Sequence, residues 1–336
     1  MNILIIGLGS MGKRRIRCLK ALGENGIAGY DSRADRCEET STKYNIVCYD
    51  DFQKALREHK PDAFVISVPP DCHHVYIEEA IKIGKHFFVE ASVVDGGMRE
   101  TIEMLKHMDI IAAPSATLYF HPAIQLIRSI VNSGELGKLS NVLLHSGQYL
   151  PDWHTYESVA DYYVSNRPTG GGREIVPFEL SWFVRVFGWP RMVAANYRKT
   201  IEIPGAEYID DTYNLLLDYS GYLAVVTVDV VSRYATRRIV VNGSKKQLYW
   251  SWDENKVRVF NPEKNAWDER EYEMKSAEAG YNANIGENMY IDEMRNFLDA
   301  IRGKGTFFNS LEEDYRVLNL LYKAERSDMT SKFVEV

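Results

Sequence analysis

The stretch Asn2-Ile-Leu-Ile-Ile-Gly7-Leu-Gly9-Ser-Met-Gly12 decides the fold of the first part of the chain. A short apolar run typical of a buried strand leads directly into a Gly-x-Gly-x-x-Gly turn, and a helical pattern follows. In such a turn Gly7 permits the tight bend, Gly9 lets the backbone approach a diphosphate, and Gly12 lets the helix pack close to the strand. The stretch therefore predicts a dinucleotide-binding β-α-β unit.

An acidic residue at the expected distance supports this prediction. Asp31 follows the next apolar run, 26–30. A carboxylate at that point accepts hydrogen bonds from the adenosine ribose and repels a 2′-phosphate, which favours NAD over NADP. The adjacent Ser32 and Arg33 would soften this preference, so NADP stays an alternative. The predicted cofactor-binding residues of this half are Gly7, Gly9, Ser10, Met11, Gly12, Asp31, Ser32 and Arg33.

Length and composition describe an ordinary globular protein. The chain has 336 residues, 45% hydrophobic and 26% charged, which is long for a single core. A net charge of −7 argues against nucleic acid or a membrane surface as the main partner. The basic run Lys13-Arg14-Arg15 is interpreted as a solvated helix face, with a phosphate or dimer contact as the alternative. Four cysteines without Cys-x-x-Cys spacing indicate neither a metal site nor a disulfide framework, so we expect a cytoplasmic protein.

The order of the predicted elements divides the chain into two domains. Over residues 1–117, short apolar runs alternate with amphipathic helical patterns, which is typical of a doubly wound, parallel α/β sheet. Beyond residue 140, strand-like runs separated by turn residues indicate a large, mostly antiparallel sheet in an α+β domain of residues 118–336. Two helical patterns, about 285–302 and 310–325, are candidates for packing back on the first domain.

One predicted strand of the second sheet, 222–231, is mostly apolar on both of its faces. We therefore expect this sheet to be covered on both sides. Helices of its own domain supply one cover, and a second subunit is the candidate for the other. This pattern predicts a homodimer or homotetramer formed through the C-terminal sheet.

Three further segments stand in a distinctive order after the glycine turn. They are Lys60-Pro-Asp-Ala-Phe-Val-Ile-Ser-Val-Pro-Pro-Asp-Cys-His73, Glu78-Glu-Ala-Ile-Lys-Ile-Gly-Lys-His-Phe-Phe-Val-Glu90, and Tyr119-Phe-His-Pro122 with Ser133-Gly-Glu-Leu-Gly-Lys138. Together with the glycine turn they resemble the Gfo/Idh/MocA family, named for glucose-fructose oxidoreductase and inositol dehydrogenase. The resemblance covers nearly the whole chain.

The resemblance implies a Rossmann domain followed by an α+β domain, with NAD as the cofactor and hydride transfer at a CH–OH group. It also implies cofactor contacts from the Val-Pro-Pro turn, because the corresponding turn passes under the nicotinamide in the family. Glu90 ends a predicted parallel strand at the edge where cofactors bind, so we predict that it contacts the cofactor. The predicted contacts on this side are Val68, Pro69, His73, Glu90 and Ala91.

Two departures from the family pattern concern catalysis. Glu90-Ala91-Ser92 replaces the family's Glu-Lys-Pro, so the lysine that contacts nicotinamide and the reacting hydroxyl in the family is absent. The segment after the glycine run 170–172 lacks the family's aspartate and histidine. It offers Glu174 and Glu179, and either would act as the base if burial raised its pKa. For Glu179 a capping role is the alternative, because Pro177 suits the first position of a helix.

The segment 148–167 is dense in aromatic and hydrogen-bonding residues. By the resemblance it borders the substrate cleft, where aromatic faces pack on a sugar ring and polar groups pair with its hydroxyls. His154 titrates close to neutrality in its ordinary state and is a third candidate for the base. The alternative is a structural role, in which these side chains anchor a long loop. The predicted substrate-binding residues are Tyr119, Asp152, Trp153, Tyr163 and Arg173.

These residues support two hypotheses about function. The first is an NAD-dependent oxidoreductase that acts on a sugar or sugar-nucleotide hydroxyl, with His154, Glu174 and Glu179 competing for the role of base. The second is a non-catalytic NAD(P)-binding sensor or regulatory subunit on the same fold, which the absent lysine and histidine favour.

Overall fold

The computed structural model describes residues 1–154, 157–274 and 286–336. These divide into two compact units. Unit 1 contains Met1–Thr117 and Glu287–Arg316, and unit 2 contains Leu118–Gly286 and Val317–Val336. No helix in the described ranges is both long enough and apolar enough to cross a membrane.

Unit 1 is built on a parallel sheet of six strands among the described residues. The strands are β1 (Ile3–Ile6), β2 (Ile27–Tyr30), β3 (Val47–Tyr49), β4 (Ala63–Ile66), β5 (His86–Val89) and β6 (Ala112–Pro114), in the spatial order β3-β2-β1-β4-β5-β6. The central strands are fully buried because helices pack against both faces. This confirms the doubly wound fold. Since the strand order reverses between β1 and β4, ligands are expected at the carboxyl ends of these strands.

The helices of unit 1 follow the strands in alternation. They are α1 (Ser10–Ala21), α2 (Ala34–Tyr44), α3 (Phe52–His59), α4 (His73–Lys82), α5 (Met98–Leu105), α8 (Glu287–Ile301) and the first residues of α9 (Leu311–Thr330). Two arginines of helix α1 are buried, which the sequence did not predict. Arg14 and Arg15 are only 3% and 0% exposed, so the interpretation of Lys13-Arg14-Arg15 as a solvated face is wrong for both arginines.

Unit 2 is built on a sheet of nine strands in its described part. The strands are β7 (Leu139–Tyr149), β8 (Met192–Arg198), β9 (Thr212–Asp218), β10 (Leu223–Asp229), β11 (Val231–Gly243), β12 (Gln247–Ser251), β13 (Lys256–Asn261), β14 (Ala266–Glu271) and β15 (Val334–Glu335), in the order β14-β13-β12-β11-β7-β10-β9-β8-β15. The prediction of a mostly antiparallel sheet is confirmed. The pairing of β7 with β10 is parallel, which the sequence pattern did not predict.

Helices α6 (Pro122–Asn132) and α7 (Gly172–Phe187) pack against one face of this sheet. On the other face the register aligns an apolar row across four strands, formed by Leu216, Val225, Leu143 and Val240. Leu143 and Leu216 are 45% and 49% exposed in the single chain.

The start of α7 corrects one prediction. The helix begins at Gly172 and contains Pro177 in its interior, so Pro177 is not the first helical residue. The turn before the helix depends on Gly171, whose φ of +63° suits glycine, and the Gly172 amide bonds to the Asp210 carbonyl at 2.9 Å. Helix α7 therefore begins five residues earlier than the proline suggests, and Glu179 lies well inside it.

Candidate active site

The glycine turn between β1 and α1 has the geometry that a dinucleotide requires. Gly7 has a φ of +90°, and a Cβ added to Gly12 would lie 1.8 Å from the Gly7 carbonyl oxygen. Both glycines are therefore needed for the turn itself. Gly9 differs, because among the described residues a Cβ there would have one atom within 4 Å, the Arg36 Nη1 at 3.7 Å. The space above Gly9 is thus open, as the approach of a diphosphate demands.

The N-terminus of α1 suits a negative ligand. Among the described residues no side chain caps it, and its first turn, which includes Ser10 and Met11, has no acidic residue. Amide groups and the positive end of the helix dipole therefore point towards the space above Gly9 without a competing carboxylate. These features fit the diphosphate of NAD.

Asp31 is fixed at the end of β2, next to the glycine turn. Its Oδ2 accepts a 2.8 Å hydrogen bond from the Leu8 amide, and its Oδ1 accepts a 2.9 Å bond from the Arg33 amide. The Arg33 side chain is directed to Asp35, 2.6 Å away, and Ser32 is exposed. Asp31 is thus positioned at the place where an adenosine ribose binds in such folds, with lone pairs remaining on both oxygens.

The other half of the sheet carries the second group of predicted contacts. Glu90 follows β5 and accepts two 2.7 Å hydrogen bonds from Arg15, and Ser67 donates a 3.1 Å bond to the same carboxylate. Arg15 also bonds to Glu293 at 2.9 Å, so it joins α1, β5 and α8. Sequence reasoning missed Arg15 because its partners lie far away along the chain.

Three further predicted residues follow β4, the strand next to β5. Val68 and Pro69 form the turn after β4, and the His73 ring bonds to the Val68 carbonyl at 3.0 Å. Burial lowers the pKa of His73 to about 4, so this ring is neutral and holds the turn together. Ala91 supplies no polar side chain where the family has lysine.

In unit 2, Tyr163 and Glu174 form a hydrogen-bonded pair. The Tyr163 hydroxyl donates a 2.6 Å bond to Glu174 Oε1. The other oxygen, Oε2, is buried and has no hydrogen-bond partner among the described residues. Burial raises the pKa of Glu174 to about 7, and the Tyr163 hydrogen bond only partly opposes this effect. A carboxyl group with these properties can accept or donate a proton near neutral pH.

The aromatic segment joins His154 to this pair. The His154 ring stacks on Tyr162, with 4.8 Å between ring centroids, and Tyr162 meets the edge of Tyr163. His154 Nδ1 also lies 3.1 Å from Glu157 Oε1. Trp153 Nε1 is buried without a partner in the described part of the chain, whereas Asp152 is exposed. Thr155 and Tyr156, which belong to the predicted segment, lie outside the described residues.

Glu179 has a different environment from Glu174. It is fully buried and accepts hydrogen bonds from Ser146 at 2.8 Å, from Trp182 at 2.8 Å and from Arg237 at 2.7–2.8 Å. Every one of these partners belongs to unit 2. A carboxylate held in this way is suited to a structural ion pair, because each of its oxygens already accepts a hydrogen bond from a residue of unit 2 and its charge is matched by Arg237.

Two predicted substrate-binding residues make contacts within unit 2. Arg173 is 8% exposed, and its guanidinium binds Glu325 at 2.6 Å and the Pro168 carbonyl at 2.5 Å. The Tyr119 hydroxyl accepts a 2.6 Å bond from Arg128. The structure therefore brings together Tyr163, Glu174 and His154, but it directs Arg173 away into a separate ion pair.

Two family models match the chain. The model described as "Oxidoreductase family, NAD-binding Rossmann fold" matches residues 1–114, and the model described as "GFO/IDH/MocA C-terminal domain" matches residues 124–249. Among curated proteins, the uncharacterized oxidoreductase YhhX of Escherichia coli is 21% identical over 222 residues, which is 65% of this chain and 61% of YhhX. An uncharacterized oxidoreductase of Schizosaccharomyces pombe is 20% identical over 212 residues, 61% of this chain and 55% of that protein. The chain thus aligns with little more than half of each relative.

Solved structures share the fold along the whole chain. A levoglucosan dehydrogenase in complex with NADH has a TM-score of 0.85 at 16% identity, covering 100% of this chain and 99% of that one. A putative myo-inositol dehydrogenase from Sinorhizobium meliloti 1021 has a TM-score of 0.78 at 19% identity, with the same coverage. At these identities the likeness concerns the fold.

Proposed function

The chain belongs to the Gfo/Idh/MocA family of oxidoreductases, and we propose that it interconverts a carbohydrate or sugar-nucleotide hydroxyl and the corresponding carbonyl group with NAD. The observation that supports this proposal is the environment of the Glu174 carboxyl group. Its Oε2 is buried without a partner among the described residues, and its pKa of about 7 suits a general base. The missing family histidine is therefore replaced by a carboxyl group.

The residues of unit 1 bind the cofactor in this proposal. The α1 amide groups above Gly9 hold the diphosphate, Asp31 accepts the adenosine ribose hydroxyls, and Glu90 lies on the nicotinamide half of the sheet. When bound, NAD supplies the acceptor for the hydride of the carbinol carbon. Because Asp31 is a fixed carboxylate, NAD is preferred to NADP.

Glu174, a residue of unit 2, transfers the proton. Glu174 Oε2 accepts the hydroxyl proton of the substrate as the carbonyl group forms, and it returns that proton in the reverse direction. Tyr163 holds Oε1, so the carboxyl group has one orientation and Oε2 remains the oxygen that reacts. The substrate loses a hydride and a proton in total, which converts CH–OH to C=O.

A carbohydrate is the proposed substrate because of the aromatic segment. The stacked His154 and Tyr162 rings and the Trp153 indole provide flat apolar faces next to hydrogen-bonding groups, which is the combination that sugar rings require. Solved structures of the same fold include a levoglucosan dehydrogenase and a putative myo-inositol dehydrogenase, which supports a polyhydroxylated substrate.

A second candidate function is a non-catalytic NAD-binding sensor. Ala91 favours it, because this residue removes the charged group that the family uses at the reacting hydroxyl. Assaying a panel of sugars, polyols and nucleotide sugars with NAD, and their keto forms with NADH, tests both functions. We expect a change in reduced-nicotinamide absorbance with at least one compound and none with Gly9→Ala protein. Tight NADH binding without turnover of any compound would favour the sensor.

The exposed row on the sheet of unit 2 supports a homodimer or homotetramer. Leu216, Val225, Leu143 and Val240 form a continuous apolar surface across four strands, of the kind that a second subunit covers. Light scattering should show an oligomer for the wild type, and Leu143→Asp with Leu216→Asp should shift it to the monomer. A monomeric wild type would contradict this part of the proposal.

A further inference from the structure

We propose that Arg36 is a further cofactor-binding residue, whose guanidinium group binds the diphosphate of the dinucleotide where it passes Gly9. The proposal rests on the cofactor part of the proposed function and adds a cation that lies outside the glycine motif. Among the described residues, Arg36 Nη1 is the one atom within 4 Å of the position that a Gly9 Cβ would take. A glycine is required there because the backbone must approach the diphosphate, so this position marks the path of the ligand.

The placement of Arg36 follows from the start of α2. Arg36 is the third residue of this helix, and its Nη1 lies 3.7 Å from the position that a Cβ at Gly9 would take. It is 31% exposed, so it borders solvent and can meet an incoming ligand. Its guanidinium is therefore close to the site without being buried in the core.

The hydrogen-bonding groups of Arg36 are available. Its Nη1 lies 3.7 Å from Asp31 Oδ2, which is close enough for attraction but too long for a hydrogen bond. In the described ranges the guanidinium donates no hydrogen bond, although it carries five N–H groups. Asp31 instead accepts bonds from the Leu8 and Arg33 amides. Asp31 thus orients the Arg36 cation without using its donors.

The charge of Arg36 is opposite to that of the diphosphate. A diphosphate carries two negative charges, and the end of α1 supplies only partial positive charge from its amide groups. An arginine fork binds phosphate oxygens with two parallel, charge-assisted hydrogen bonds. Arg36 supplies that fork at the open side of Gly9. Because Arg36 Nη1 lies 3.7 Å from the Gly9 Cβ position and also 3.7 Å from Asp31 Oδ2, the test includes NADPH to separate the diphosphate from a 2′-phosphate.

Binding of NADH, ADP and NADPH to the full-length protein tests this inference. Fluorescence titration measures NADH and NADPH, and competition measures ADP. Arg36→Ala should weaken NADH and ADP alike by about 10- to 100-fold, as expected for the loss of a charge-assisted bond. Arg36→Lys should recover part of the affinity. Arg57→Ala, which removes an exposed arginine from α3, should bind as the wild type does.

Three results would overturn the inference. Unchanged NADH and ADP affinity in a folded Arg36→Ala protein would refute this inference but not the proposed function. Arg36→Gln provides a second variant should Arg36→Ala fail to fold. A loss of affinity confined to NADPH would show that Arg36 binds the 2′-phosphate and not the diphosphate. A wild type that binds neither NADH nor ADP would refute both this inference and the cofactor part of the proposed function.

Discussion

The Tyr163 hydroxyl donates a 2.6 Å hydrogen bond to Glu174 Oε1, and Glu174 Oε2 is buried without a partner among the described residues. A buried polar atom that makes no hydrogen bond costs about 1–3 kcal/mol. A cost of this size is expected where a ligand completes the bonding. The pair therefore has the features of a site that is prepared for a substrate hydroxyl.

The rate of hydroxyl oxidation should rise with pH through about 7. The Glu174 carboxyl group has its pKa raised to about 7 by burial, and only its ionised form accepts the substrate proton. Carbonyl reduction, which needs the protonated form, should fall over the same range. Initial rates at saturating cofactor, measured from pH 5 to pH 9, check this prediction (about two pH units on each side of the pKa). A flat profile in both directions would exclude Glu174 as the base.

The variant Glu174→Gln should be more stable than the wild type at alkaline pH. The native pKa of Glu174 is raised above its ordinary value of 4.5, so the native state binds more protons than the unfolded state between pH 4.5 and about 7. Wild-type stability therefore falls as pH rises through this window, on the order of 1–3 kcal/mol. The amide does not titrate and avoids this loss. Denaturant unfolding at two pH values, below and above the window, measures the difference. If the free energy of unfolding differed between Glu174→Gln and the wild type by the same amount at both pH values, the raised pKa would be contradicted.

Gly9→Ala and Gly12→Ala should fail in different ways. At Gly9 the added Cβ has open space and the φ is −72°, so the variant should fold but lose NADH affinity, because the methyl group occupies the approach of the diphosphate. At Gly12 the Cβ would lie 1.8 Å from the Gly7 carbonyl oxygen, so the turn itself should be disrupted. Thermal unfolding and NADH fluorescence separate the two effects. Wild-type NADH binding by Gly9→Ala would contradict the proposed position of the diphosphate.

Glu179→Ala should destabilise unit 2 by about 3–5 kcal/mol, because it leaves the Arg237 guanidinium buried without its carboxylate. Its effect on turnover should follow this loss of folded protein. Denaturant unfolding and the rate per folded molecule give the two quantities. A folded Glu179→Ala protein with no turnover would instead return Glu179 to the list of candidate bases.

Elements with a clear hydrophobic pattern could be predicted from the sequence. The strand predicted over 222–231 is present as β10, Leu223–Asp229, because five of its seven residues are apolar. The strand β14, Ala266–Glu271, was not predicted, since it is mostly charged and gains its stability from pairing with β13. Strand pairing between distant segments overrides local pattern in such cases.

In the candidate site, too, local relationships could be predicted from the sequence and contacts between distant residues could not. The position of Asp31 beside the glycine turn could be predicted because it depends on a local motif of strand, turn and helix. The roles of Arg15 and Glu179 could not, because their partners Glu293 and Arg237 are brought close only by the tertiary fold. The predicted start of α7 was wrong because Pro177 is usually a signal for the first helical turn. In the structure the helix begins earlier, at Gly172, directly after the turn that Gly171 forms.

The most direct test of the central claim is the rate of NADH formation by wild type and Glu174→Gln, with a compound that the substrate panel identifies, at a pH above 7 and at saturating NAD. The amide keeps the shape of Glu174 and the bond from Tyr163 but cannot accept the proton. We predict that turnover falls at least 100-fold, roughly the contribution of a general base, while NADH affinity stays unchanged, and that Glu202→Gln, an exposed control, keeps wild-type turnover. Equal turnover by Glu174→Gln and the wild type would contradict the claim.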